Sequence, residues 1–140
     1  MNVNEIIHIN GRYRKLDCDL IDNSHVMIRL KTGKDVRRVE VVYNDPYIRL
    51  NTEEGLYWPY HTVQMEVTGE TYRIYYFSVT LPCTYHRLKY YFLIYDDCEC
   101  IQYSESGFTK GRFVNLIDNS EMGREVQFGR LGFMLLKKLM

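Results

Sequence analysis

Through the stretch "SHVMIRLKTG", Val26, Ile28 and Leu30 alternate with His25, Met27 and Arg29. A period of two sends successive side chains to opposite faces, so this segment reads as a β-strand with one buried face. Comparable segments recur at short, regular spacing. Residues 6–9 open the series, and residues 36–43 follow the first stretch with Val39, Val41 and Tyr43 on one face. Residues 63–67 and 72–81 continue it. Residues 87–95, "RLKYYFLIY", are apolar on nearly both faces, and residues 98–103 close the series.

The residues between these segments are turn formers. Gly33 and Asp35 separate the second strand from the third so closely that a hairpin is expected there. Thr68-Gly69-Glu70 and Asp96-Asp97 read as further turns, and Pro82 ends a ladder because it has no N–H to donate. Residues 44–62 hold Pro46 and Pro59 without a clean period, which reads as loop with a short irregular strand. About seven strands and no helix before residue 104 predict an all-β fold. The architecture expected for residues 1–110 is an antiparallel β-sandwich of immunoglobulin-like size. Residues 111–140 have glycines and no alternation, and form an atypical tail, read as disordered or as a short helix over 131–140. Lys137 and Lys138 would suit the C-terminal end of such a helix.

A chain of 140 residues is most simply one domain able to close its own core. It carries 13 tyrosines against six phenylalanines and one tryptophan, which suits sheet surfaces where a ring packs and its hydroxyl stays wet. Eighteen basic residues balance 18 acidic ones, so neither a nucleic acid nor an anionic membrane is an expected partner. No stretch has the length of a membrane span, and "MNVNEIIHIN" lacks the features of a secretory signal. The expected location is the cytoplasm, with Cys18, Cys83, Cys98 and Cys100 as reduced thiols. Cys98 and Cys100 lie two apart, on one face of a strand, which is not a zinc spacing.

A catalytic constellation is missing. His8, His25, His61 and His86 are scattered, no phosphate-binding glycine motif occurs, and adjacent carboxylates such as Glu53-Glu54 sit in turns where they point apart. What remains is an aromatic loop: Tyr47, Tyr57, Trp58 and Tyr60, interrupted by the two prolines. Exposed rings can cover the C–H faces of sugars, and they also favour protein interfaces. Trp58 is expected to plug the core, since tryptophan is highly buried on average. Tyr47, held just past Asp45-Pro46, is expected to be exposed and to touch something.

The ordered series "EIIHI", "HVMIRLKTGKDVRRVEVVYNDPY", Trp58, Met65, "RLKYYFLIYDD" and "YSESGFTK" resembles the N-terminal domain of cyclomaltodextrinases, neopullulanases and maltogenic amylases. These are glycoside hydrolase family 13 enzymes, and the domain is classed as a family-34 carbohydrate-binding module. The resemblance runs from about Glu5 to Lys110. It implies an immunoglobulin-like sandwich joined to a barrel that cleaves α-glucosidic bonds. It also implies α-glucan oligosaccharides as ligands, and dimerisation in which the module covers and narrows a neighbouring active site. The aromatic that reaches toward that site falls on Tyr47. Some relatives carry calcium here, with no ligand set assigned on this sequence; no other cofactor is implied. A catalytic barrel takes about 250 residues and would bear the catalytic carboxylates, so the chain is expected to be inert on its own. The last thirty residues depart from the family pattern, as a truncated or shifted reading frame would.

Overall fold

The computed structural model describes residues 1–10, 16–53, 55–83, 87–110, 117–118 and 133–136. Its strands are β1 (Cys18–Leu20), β2 (His25–Gly33), β3 (Arg38–Asn44), β4 (Leu50–Thr52), β5 (Gly55–Tyr57), β6 (His61–Gln64) and β7 (Glu66–Glu70). They continue with β8 (Ile74–Pro82), β9 (Arg87–Tyr95), β10 (Cys100–Ser104), β11 (Gly107–Lys110), β12 (Ile117–Asp118) and β13 (Phe133–Leu136). One sheet runs β1-β2-β8-β7, and a larger one runs β11-β10-β9-β3-β6, with β13 also on β9. A small third sheet runs β12-β5-β4. The strand pairs are antiparallel throughout. The expected immunoglobulin-like β-sandwich is what these elements build.

The core lies between the two larger sheets, where the alternation of the sequence says it should. Val26, Ile28 and Leu30 of β2 face Val39 and Val41 of β3 and Leu88, Tyr90, Phe92 and Ile94 of β9. On the far side of the larger sheet, Val42, Tyr91 and Leu93 are buried with Trp58 in a second cluster. His8 enters the main core. Its Nδ1 lies 2.6 Å from the Arg29 carbonyl and its Nε2 lies 2.7 Å from the Tyr90 hydroxyl. A carbonyl only accepts, so the ring proton sits on Nδ1 and Nε2 accepts from Tyr90. Burial pushes the His8 pKa down to about 4, so the ring is neutral at pH 7.

Several expectations need correction. β2 and β3 form no hairpin: β2 pairs with β1 and β8, and β3 pairs with β6 and β9. The connection crosses between sheets because Val36 turns into the core and the Arg37 N–H donates to the Tyr95 carbonyl on the opposite layer. The segment over 63–67 splits in the same way. Met65 is only 2 % exposed, its N–H donates to the Val39 carbonyl, and the chain passes there from β6 in one sheet to β7 in the other. Gly69 lies inside β7, beside a register shift, and the reversal falls at 71–73. Residues 6–9 contribute one isolated bridge, from Ile7 to Lys31, and Cys98 lies in the turn before β10 and so not on a strand. Against the short helix expected over 131–140, Phe133–Leu136 is a strand paired with Arg87–Tyr90 of β9. The rest of that tail is outside the described residues, apart from Ile117–Asp118.

Candidate functional site

At the end of β3 the chain turns through Asp45-Pro46-Tyr47-Ile48, and Asp45 organises the turn. Its carboxylate Oδ1 accepts the Tyr47 N–H at 2.9 Å, and its carbonyl accepts the Trp58 indole N–H at 3.0 Å. The Arg87 Nε–H lies 2.8 Å from Oδ1 and 2.7 Å from Oδ2 of the same carboxylate. Asp45 is only 8 % exposed, so this charge-assisted pairing offsets the cost of burying it. The adjacent Asn44 donates through its Nδ2 to the Pro59 carbonyl, tying the two prolyl ends of the excursion together. Gly55, at φ 130°, adopts a conformation open mainly to glycine and lets the chain reverse between β4 and β5.

Tyr47 is thereby held out with 64 % of its surface exposed. The Arg87 guanidinium sits 5.0 Å from the ring centroid, close enough for a cation–π contact on one side of the ring. The other members of the aromatic loop are placed differently. Trp58 is 1 % exposed, packed against Val42, Tyr91 and Leu93 with the Lys89 ammonium 5.0 Å from its ring centroid. Tyr60 lies half-buried with its ring 6.4 Å from that of Trp58, and Tyr57 is half-buried on β5 opposite Leu50 and Ile117. The core role expected for Trp58 is what the structure displays. Its covered ring offers no face to a ligand. Tyr47, Ile48, Leu50 and Leu56 instead leave an exposed apolar margin along the excursion.

Beside Tyr47 a cleft of about 160 Å³ opens between the ends of the sheets. Tyr43, Asn44, Asp45, Ile48 and His61 line one side; Pro82, Cys83, Arg87 and Leu88 line the other. The Tyr43 and His61 rings lie 5.5 Å apart. Asp45, Arg87 and His61 were not among the sequence candidates. Asp45 carried a turn signal but no hint of its ion pair, and Arg87 lies far along the chain without any motif.

Elsewhere, no three His, Cys, Asp or Glu side chains gather to hold a metal ion among the described residues. None of the four cysteines is disulfide-bonded; Cys18 and Cys83 are buried and Cys98 is exposed. No helix among the described residues is long and apolar enough to cross a membrane.

Residues 1–120 match the family described as "Alpha amylase, N-terminal ig-like domain". The chain is 31 % identical over 87 residues to the maltogenic alpha-amylase of Bacillus acidopullulyticus, covering 61 % of this chain and 14 % of that protein. It is 33 % identical over 88 residues to the cyclomaltodextrinase of Geobacillus thermopakistaniensis (strain MAS1), covering 62 % and 14 %. A solved cyclomaltodextrinase structure superposes on 98 % of this chain and 20 % of its own, with a TM-score of 0.69 at 17 % identity, which speaks for the fold alone. The chain thus matches only 14 % of the length of these curated relatives. The matched part is the non-catalytic immunoglobulin-like domain of the larger enzymes, and the 140 residues hold no catalytic barrel. With most of its length matched, the chain belongs to the family of N-terminal immunoglobulin-like domains of alpha-amylases.

Proposed function

We propose that this domain serves an α-amylase-family glycosidase as an accessory module that meets maltooligosaccharide, cyclodextrin or starch through Tyr47 and helps shape the active site of a partner subunit. The observation that carries this reading is the Tyr47 ring, 64 % exposed and braced from behind by the Asp45–Arg87 pair. A ring fixed in this way meets a sugar face without first losing conformational freedom, which is the usual entropic cost of ordering a surface side chain. The two relatives named above are a maltogenic amylase and a cyclomaltodextrinase, in keeping with an α-glucan ligand. Thiols without a disulfide suit a reducing cytoplasm.

A second reading is a docking module that binds a barrel or a second copy and never holds sugar. The exposed apolar run of Tyr47, Ile48, Leu50 and Leu56 favours it, because aromatic and aliphatic anchors of this kind concentrate interface energy. The two are separated by titrating the chain with maltoheptaose or β-cyclodextrin while following Trp58 emission. The indole N–H is bonded to the carbonyl of the same turn that carries Tyr47, so sugar on Tyr47 is expected to give a saturable change. Tyr47→Ala is expected to weaken it about tenfold. A flat titration overturns the sugar reading, and concentration-dependent sedimentation lost on Leu50→Lys would then support docking.

A further inference from the structure

We propose that residues 6–10 form an acid-released strap: a proton taken up by His8 frees this segment from the sandwich while the two larger sheets stay folded. The segment "IIHIN" is held at few points. Only Ile6 and His8 of it are buried, Ile7 makes a single two-bond bridge to Lys31, and Ile9 exchanges hydrogen bonds with Asp17. β2, by contrast, pairs with β8 along all nine of its residues. Local opening starts where buried contacts are few, so the strap can leave without the sheets.

His8 is the fastener because its bonds require a neutral ring. Nδ1 donates to the Arg29 carbonyl and Nε2 accepts from the Tyr90 hydroxyl, whose oxygen in turn accepts from the Asn10 amide at 2.7 Å. A proton added at Nε2 meets the Tyr90 O–H head on, so that hydroxyl has to turn away. The charge would also lie on a ring only 7 % exposed, with the Phe92 ring 4.9 Å from it. The surroundings do little to hold such a charge. Asp17, whose carboxylate takes the Ile9 N–H, favours an imidazolium, and burial outweighs it. The Arg29 guanidinium is held by Asp19 and the Leu16 carbonyl, and the Lys31 ammonium lies over the Tyr76 ring. Among the described residues, Cys18 beside Tyr90 and the Tyr103 hydroxyl on the His8 backbone complete the titratable surroundings. Release lets the charged ring meet water. It also strips the Lys31 N–H and carbonyl of their Ile7 partners, leaving an open strand edge on β2.

The test is amide hydrogen exchange followed by NMR on the full chain. A pKa of about 4 for the seated ring, against 6.5 for a released one, links proton uptake to opening. Corrected for intrinsic rate, exchange at the Ile7 and Ile9 amides is expected to rise about a hundredfold from pH 7 to pH 4. It should depend little on added urea, because the strap exposes little surface when it opens. The β9 amides should stay slower and steeply urea-dependent, as amides released only by global unfolding are. His8→Gln can keep both bonds, its N–H to the Arg29 carbonyl and its oxygen to Tyr90, without titrating, and is expected to abolish the rise. Asp17→Asn still accepts the Ile9 N–H and is expected to keep the rise. Should His8→Gln fail to fold by circular dichroism, the His8 ring signals of the unaltered chain decide. A midpoint well below 6.5 that tracks strap exchange upholds the strap, and titration near 6.5 with the strap still protected overturns it. Exchange at Ile7 and Ile9 that matches β9 in rate and urea slope also overturns it, as does a rise that persists in His8→Gln or disappears in Asp17→Asn.

Discussion

β2 and β9 are each nine residues long and each lies between neighbours in its sheet, yet they are buried in different ways. In β2 the residues of one face are covered while His25, Met27, Arg29 and Lys31 on the other stay partly or fully wet. In β9 every residue from Leu88 to Ile94 is buried. The difference lies outside both strands. Water meets the outer face of β2, whereas Trp58 and Tyr60, delivered by the 45–60 excursion, cover the outer face of β9 around Tyr91 and Leu93. Strict alternation therefore reports a strand at the outside of a sandwich, and a continuous apolar run reports that something lies on both sides. Here that something is the segment that also carries Tyr47.

The largest effect expected from this contrast is at Trp58. Trp58→Ala should cost about 3–5 kcal/mol in urea unfolding, whereas Met27→Ala on the outer face of β2 should stay within about 0.5 kcal/mol. Equal costs would break the comparison.

The next effect sharpens the inner face of β9, where His8 meets Tyr90. The folded pKa of about 4 lies below the ordinary 6.5, so between these values the unfolded chain binds the extra proton and stability rises with pH. That stability is complete above about pH 6.5 and is lost as pH falls toward 4. A shift of this size corresponds to about 3 kcal/mol. Urea midpoints measured from pH 7 to pH 4 should record the loss, and His8→Gln should flatten it. Asp96 is also depressed, to about 2, by the Cys98 and Glu99 N–H groups and the amino terminus. Its contribution is present above about 3.8 and lost below it, which separates the two windows.

A smaller effect is expected at the turn. Asp45→Ala removes the Tyr47 N–H acceptor and leaves Arg87 without this carboxylate, costing about 2 kcal/mol. Asp45→Asn, which can still accept the Tyr47 N–H, should cost about half as much. Least of all, Tyr47→Ala should change stability by less than about 0.5 kcal/mol. A larger loss would mean that the ring is part of the core and not a contact surface.

Much of this arrangement is legible in the chain. The alternation at Val26, Ile28 and Leu30 placed β2, the double-faced run placed β9, and Asp96 does cap the turn before β10. Partner choice was not legible. Gly33 and Asp35 are equally good residues for a hairpin and for a crossing between layers, and only the docking of Val36 and Arg37 onto the opposite sheet decides between them. Phe133–Leu136 is a short apolar run that suits either helix or strand, and the open edge of β9 at Arg87–Tyr90 settles it. The same holds for the site. Asp-Pro marks a turn and made Tyr47 visible, but the ion pair that braces it joins residues 42 positions apart. Pairing at such a distance leaves no local trace.

The two crossings at Val36 and Met65 lie at one end of the sandwich, on either side of the start of β3. They bind the layers there as a spine binds the boards of a book. At the opposite margin the chain crosses a third time, from Pro82 of β8 in one board to Arg87 of β9 in the other, so the boards are stitched at both ends and the cleft between them has little room to spread.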